Sequence, residues 1–202
     1  MTGVQTCALP ISIEDYNYVV MKMVANDLQT DYALIIQYDG FVINPVQFSS
    51  HFLHYDYVGA PWPNFTQFEV GNGGFSLRSR RLIEAAAGFY DQKGEDAEDT
   101  FICRVIRSRL ELKYGCRFAP VGLAQHFSTE FVFHPWPTFG FHGFVMLPYV
   151  YKADLEFLLK NLPRRAFGGD KLAQLSHFFS RASAQDQKLF HEYCKLKGAS
   201  QV

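Results

Sequence analysis

The sequence lacks most of the features that assign a chain at sight. Charge is balanced, with 19 Lys and Arg against 20 Asp and Glu and a net of −1, whereas a protein that grips nucleic-acid phosphates normally carries a clear basic excess. Nucleic acid is therefore not an expected partner. Cysteine is scarce, and Cys7, Cys103, Cys116 and Cys194 stand far apart, so no pair has zinc-ligand spacing and a reducing, cytoplasmic setting is expected. No apolar run approaches the roughly 20 residues that cross a bilayer. The first residues also lack the charged start and apolar stretch of a signal peptide. A soluble protein without a transmembrane segment follows. Repeats and low-complexity tracts are missing too, which leaves one principal domain as the default for 202 residues.

What is present is the composition of an ordinary core, 48% apolar and 19% charged, well within the globular range. The opening MTGVQTCALPIS has no amphipathic period and resembles a translated sequencing-adapter tail. Residues 1–12 are accordingly expected to be a non-native leader, with the natural protein beginning further upstream. In EDYNYVVMKMVANDLQ, Val20, Val24 and Leu28 share a helical face with Met23 beside them, behind the acidic Glu14 and Asp15; this predicts a helix over about 14–29. YALIIQ reads as a buried strand, YDYVGAPW as an extended piece stopped by Pro61 and Pro63, and NGGFSLRS as a third. SRRLIEAAAGFY is a helix that Ser79 would cap. TFICRVIRSRLELKYG places Ile102, Ile106 and Leu110 in helical register, with Val105 and Leu112 adjoining, and stops at Gly115. The aromatic stretch FVFHPWPTFGFHGF predicts a loop over a cleft, and residues 151–198 two or three helices broken near LPRRAFGGD. Strands alternating with helices argue for an α/β layered fold, with a domain over 13–150 and a helical extension over 151–202. That extension holds nine Lys and Arg against five Asp and Glu, which reads first as a solvated helix face and second as weak peripheral contact with anionic lipid.

Several residues are of types that carry chemistry, and each has a plain alternative. Asp39 follows an apolar strand and precedes Gly40; it is either a turn acid or a ligand-binding carboxylate. Asn72 among Gly71, Gly73 and Gly74 marks a bulge, or a backbone opened for a ligand. Arg78 would pair with phosphate or brace a carboxylate. Glu95, Asp96, Glu98 and Asp99 precede a helix, where negative charge is favourable in any case. His142 reads as a core histidine when taken alone. Trp62 and Trp136 are core aromatics or flat faces for a sugar ring, and Asp56 is a turn acid or an acceptor for a sugar hydroxyl.

The ordered motifs QYDGFVINP, YDYVGAPW, VGNGGFSLRSRRLIEA, EDTFICR, YGCRFAPVGLAQHFS and TFGFHG resemble a bacterial and plant family of unknown function that is itself similar to glycosyltransferases of the GT-A fold. The resemblance covers about residues 16–145. It implies a GT-A-like mixed sheet flanked by helices, with the first nucleotide-binding strands missing, since few residues precede Asp39. It implies transfer of a sugar from a nucleotide-sugar donor to a glycan or other hydroxyl acceptor. Gln37-Tyr38-Asp39 stands where such enzymes carry an acidic DxD signature, so Gln37 and Asp39 are implied cofactor residues. Asp39 and His142 are then the implied ligands of Mn²⁺ or Mg²⁺. Asn72, Gly73 and Gly74 are implied substrate contacts, beside which Arg78, Trp62 and Asp56 stand as candidates by residue type, and Asp99 is the implied base toward the acceptor, with Glu98 in reserve. Two other readings stand beside this one. One is a non-catalytic glycan-binding descendant of a transferase, favoured by the incomplete DxD. The other is a glycoside hydrolase, which would use Asp39 and Asp99 as its two carboxylates, roughly 5 to 9.5 Å apart.

Overall fold

Strand β4, Phe75–Ser79, organises the first part of the molecule because all five of its residues are buried and its side chains alternate between two different environments. Phe75 and Leu77 enter one apolar cluster with Phe52, Val58, Phe127 and Phe139. Ser76 and Arg78 point the other way, where the neighbouring strand supplies Tyr57 to a second cluster with Met21, Leu82, Ile102, Ile106 and Leu110. One strand thus completes a core with one face and presents polar groups with the other. In the computed structural model, which describes residues 12–132, 134–150 and 154–199, β4 is the centre of a three-stranded sheet. Strands β1 (Tyr32–Ile36) and β3 (Tyr57–Gly59) flank it, both antiparallel, with Leu34 and Val58 each opposite Leu77.

A second three-stranded sheet has the order β2 (Gly40–Val42), β6 (Gly140–His142), β5 (Ser128–Thr129). Its β5 and β6 run parallel, Ser128 opposite Gly140 and Thr129 opposite Phe141. The α/β class expected from the alternating pattern is what the chain adopts, as two small sheets with flanking helices. The sharp turn between β1 and β2 joins the sheets: the Gly40 N–H donates to the Gln37 carbonyl at 3.0 Å, and the Gln37 N–H donates to the Gly74 carbonyl at 2.8 Å.

The helices follow the local signals closely at their ends and less closely in their middles. Ser12, the last residue of the expected leader, caps α1 (Ile13–Tyr18) in a capping box with Asp15; the rest of that leader lies outside the described residues. After α1 the helix widens into a π turn over Val19–Met23, where the Val24 N–H bonds the carbonyl five residues back, and then closes as α2 (Val24–Asp27). The extra residue rotates the apolar face. Asn17, Val20 and Met21 are buried, while Val24 and Leu28, expected on the core face, are only half-buried. Helix α3 (Arg80–Ala87) is capped by Ser79, whose Oγ accepts from the Leu82 N–H at 3.1 Å. A short α4 (Glu98–Thr100) runs into a second π turn over Phe101–Val105 and then α5 (Arg107–Tyr114). Gly115 ends α5 at φ +64°, a left-handed stop that other residues adopt with strain. Ile102, Ile106 and Leu110 are buried as the spacing predicts, whereas Val105 and Leu112 face solvent. Helix α6 (Val121–Phe127) completes this part.

The chain divides into two compact units, Met1–Phe141 and His142–Val202. The second contains α7 (Leu147–Val150), α8 (Leu155–Asn161), α9 (Gly169–Phe179) and α10 (Ala184–Lys197). Leu159, Phe167, Leu175 and Phe179 form its buried interior, and Phe179 stacks on Phe190 with ring centroids 4.4 Å apart. The break at LPRRAFGGD is a tight 3₁₀ turn over Arg164–Phe167. Among the described residues, no helix is long and apolar enough to cross a membrane.

Candidate functional site

Four segments distant in sequence bring polar side chains onto the Arg78 face of β4. The glycine segment 71–74 leads into the strand, α1 contributes Tyr16 and Asn17, the start of α4 contributes Glu98 and Asp99, and the β1–β2 turn contributes Gln37. Arg78 is at the centre and is 1% exposed. Its Nη1 and Nη2 donate to the two carboxylate oxygens of Glu98 at 2.8 and 3.0 Å, its Nε to Ser76 Oγ at 2.9 Å, and Nη2 also to the Gly73 carbonyl at 3.3 Å. The guanidinium lies 5.0 Å over the Tyr57 ring. Burial works against its charge, but the Glu98 carboxylate outweighs that and holds the arginine firmly protonated. Of the two roles foreseen for Arg78, bracing a carboxylate is the one its geometry performs, and its burial keeps it from meeting a phosphate.

Glu98 is held from every side. Besides Arg78 it has the Tyr16 hydroxyl at 3.5 Å, and its own N–H donates to Asn17 Oδ1 at 3.1 Å. These contacts anchor α4 to β4 and α1 through Glu98, the residue held in reserve as base. Asp99 differs. It is only half-buried, with Oδ2 accepting from the Gly73 N–H at 3.0 Å and Oδ1 from the Thr100 N–H at 2.7 Å. Burial first, and the Glu98 charge second, push its carboxyl up to about 6 against the lowering effect of the two N–H groups and Arg78. Such a group gains and loses protons near neutrality.

Gly73 is glycine because nothing larger fits: a Cβ there would lie 2.6 Å from Glu98 Oε1, 2.7 Å from Asp99 Cβ and 2.9 Å from Arg78 Nη2. Asn72 is buried, its amide donating to the Glu130 carboxylate while its Oδ1 accepts from the Gly74 N–H at 3.1 Å. Gln37 reaches the Tyr16 hydroxyl with its side chain, and burial raises that hydroxyl well above its usual range. Asp39, next but one in the same turn, is 6% exposed. The Asp-Gly pair is therefore both a turn and the seat of a buried acid.

Other residues singled out from sequence are engaged elsewhere. Asp56 accepts from Ser79 Oγ at 2.5 Å, from Arg81 Nε at 3.1 Å and Nη2 at 2.5 Å, and from the Arg117 N–H at 2.8 Å. Burial raises its pKa, yet these donors together hold it below the usual value. It clasps β3, α3 and the 117 segment, leaving little capacity for a sugar hydroxyl. Trp62 is half-buried with its ring against the Gly71 Cα, where a Cβ would meet it at 2.3 Å. Trp136 donates to the Gln125 carbonyl at 3.2 Å and contacts the His126 and His134 rings, with centroids 5.3 and 5.0 Å away. Both tryptophans thus have packing partners in the first unit. His142 is half-buried at the end of β6. Among the described residues, no three His, Cys, Asp or Glu side chains converge to hold a metal ion.

Tyr16, Asn17, Ser76 and Glu130 complete the cluster and were not foreseen. Asn17 had a readable signal, a polar residue one turn before Val20 on the apolar face of its helix. Ser76 and Glu130 had none. No curated protein and no solved structure matches the chain. A family model described as a protein of unknown function (DUF5672) matches residues 8–142, and the chain belongs to that family.

Proposed function

We propose that the first unit is a glycosyltransferase-like domain in which Asp99 is the general base. The observation that carries this reading is the Asp99 carboxyl itself, half-buried, pinned by the Gly73 N–H and pushed up to about 6 by burial and the Glu98 charge. In the reaction, Asp99 removes the proton of an acceptor hydroxyl as that oxygen bonds to the anomeric carbon of a nucleotide sugar. The bond from that carbon to the diphosphate breaks, and the nucleoside diphosphate leaves with the electron pair. Asp99 is well suited to the proton step, because a base with a pKa near the working pH is ionised when the hydroxyl arrives and still basic enough to accept. The glycine segment 72–74 and the Gln37–Gly40 turn, tied together by the Gln37–Gly74 bond, form the adjoining backbone against which a donor would lie.

Metal assistance rests on Asp39, a hard oxygen ligand of the kind that shares Mg²⁺ or Mn²⁺ with substrate phosphates and water. Such a cation would supply charge neutralisation at the leaving diphosphate. Titration calorimetry of the natural full-length protein against a panel of nucleotide sugars, with and without Mn²⁺, tests the reading. Saturable binding of at least one donor is expected, together with release of nucleoside diphosphate when acceptor is added. Asp99→Asn should lower that turnover by about 10² to 10⁴ while donor affinity stays within a few fold. Turnover unchanged in a folded Asp99→Asn protein removes Asp99 as base, and no binding across the panel removes the transferase reading.

A further inference from the structure

We propose that Arg78, acting through Glu98 and Gly73, is the positioning residue that fixes both the place and the protonation of Asp99. The inference rests on the reading of Asp99 as base only for its consequence in turnover. Its physical content stands on contacts.

Besides its contact with the Thr100 N–H, Asp99 has two attachments that lead to Arg78. One is the peptide of Gly73, whose N–H donates to Asp99 Oδ2 at 3.0 Å. The carbonyl of Gly73 is held by Arg78 Nη2 at 3.3 Å and by Ser76 Oγ at 3.0 Å, and that same serine accepts from Arg78 Nε at 2.9 Å. The other attachment is covalent: Glu98 immediately precedes Asp99 and is clamped by the two-pronged contact of Arg78 at 2.8 and 3.0 Å. A planar guanidinium can serve a carboxylate with one edge while its other N–H groups reach a carbonyl and a hydroxyl, which an ammonium cannot do from one position. Glycine at 73 lets the three side chains close on one backbone point, since a Cβ would lie within 3 Å of each.

The same arrangement governs protonation. Glu98 places a negative charge beside Asp99 and favours its neutral form, Arg78 opposes that, and the Gly73 N–H stabilises the ionised form. Two variants on the intact chain should therefore move the Asp99 titration in opposite directions. Glu98→Gln keeps the size, removes the charge, exchanges one of the two acceptors facing Arg78 for an N–H donor and leaves Arg78 uncompensated, so Asp99 should titrate lower by roughly one pH unit. Ser76→Ala removes one of the two donors holding the Gly73 carbonyl, loosens the peptide that stabilises ionised Asp99, and should move the titration up.

The readout is the carboxyl carbon shift of ¹³C-labelled aspartate followed against pH, with Asp99→Asn assigning the signal. Opposite movements support the proposal. Were either variant, folded, to leave the Asp99 midpoint where it stands in the parent, Arg78 would be an anchor for the fold and nothing more. If Glu98→Gln does not fold, the Ser76→Ala shift alone decides. The pH profile of nucleoside diphosphate release then separates the two ideas: a profile that follows the shifted midpoints supports both. Shifted titration without any transfer retains the positioning role and rejects the transferase reading.

Discussion

At the scale of single residues, the site is defined by differences between neighbours of the same type. Glu98 and Asp99 are adjacent acids, yet one is buried against a guanidinium and the other is half-buried against backbone N–H groups. What separates them is a helix start: consecutive side chains there diverge by about 100°, so the first meets β4 and the second meets the backbone of Gly73. Gly73 is consequently the least replaceable residue of the cluster. In Gly73→Ala the new methyl meets a carboxylate oxygen, a Cβ and a guanidinium nitrogen, all closer than 3 Å, and all three belong to groups fixed by other bonds. Overpacking of this kind costs about 1–3 kcal/mol. Urea unfolding should show that loss in the midpoint, and an alanine variant as stable as the parent would mean that the Arg78–Glu98 grip yields readily.

At the scale of elements, the signals that sequence carries are end signals and periods, and they succeeded where the element is regular. Ser79 as the cap of α3, Gly115 as the stop of α5 and the three extended pieces around YALIIQ, YDYVG and GFSLRS all appear where the residues place them. The π turns were not legible, because a pattern count assumes 3.6 residues per turn and one wider turn shifts every later position. That is why Val24 and Leu28, which lie past the first wider turn, are only half-buried. Both π turns directly follow segments of the polar cluster, Tyr16–Asn17 and Glu98–Asp99, in keeping with the frequent occurrence of such turns at functional sites. The meeting of Asn72 with Glu130 was equally hidden, since partners 58 residues apart leave no local trace. Ser79 shows how much one end signal can carry. Its hydroxyl accepts from the Leu82 N–H and donates to Asp56 at 2.5 Å, so Ser79→Ala loses a cap worth about 1 kcal/mol and one donor to a buried carboxylate. A fall of roughly 2 kcal/mol is expected from the cap and that donor together, measured by denaturant unfolding. A loss confined to a few tenths would mean that Arg81 and the Arg117 N–H already satisfy Asp56 alone.

At the scale of the whole molecule, two aspartates in the first unit give stability opposite dependences on pH. Asp56 has a folded pKa below its ordinary 3.8, so its contribution is present above that value and is lost as the pH falls through the lower folded one. Asp99 has a folded value near 6 against an ordinary 3.8. Between those limits the folded chain holds a proton that the unfolded chain has released, and stability therefore declines as the pH rises from about 4 to 6. The decline has an upper bound of roughly 3 kcal/mol for a shift of that size. A fold selected only for stability would not keep such a residue, whereas the base proposed above needs it. Asp99→Asn should accordingly flatten the stability profile between about pH 4 and 6 and leave the branch below pH 4, owed to carboxylates such as Asp56, in place. Thermal unfolding of both proteins across pH 3 to 8 measures this directly. A parent profile that climbs steadily from pH 4 to 6, or an asparagine variant that keeps the parent's slope there, would show that Asp99 is an ordinary ionised surface acid, and the case for it as a base would lose its physical ground.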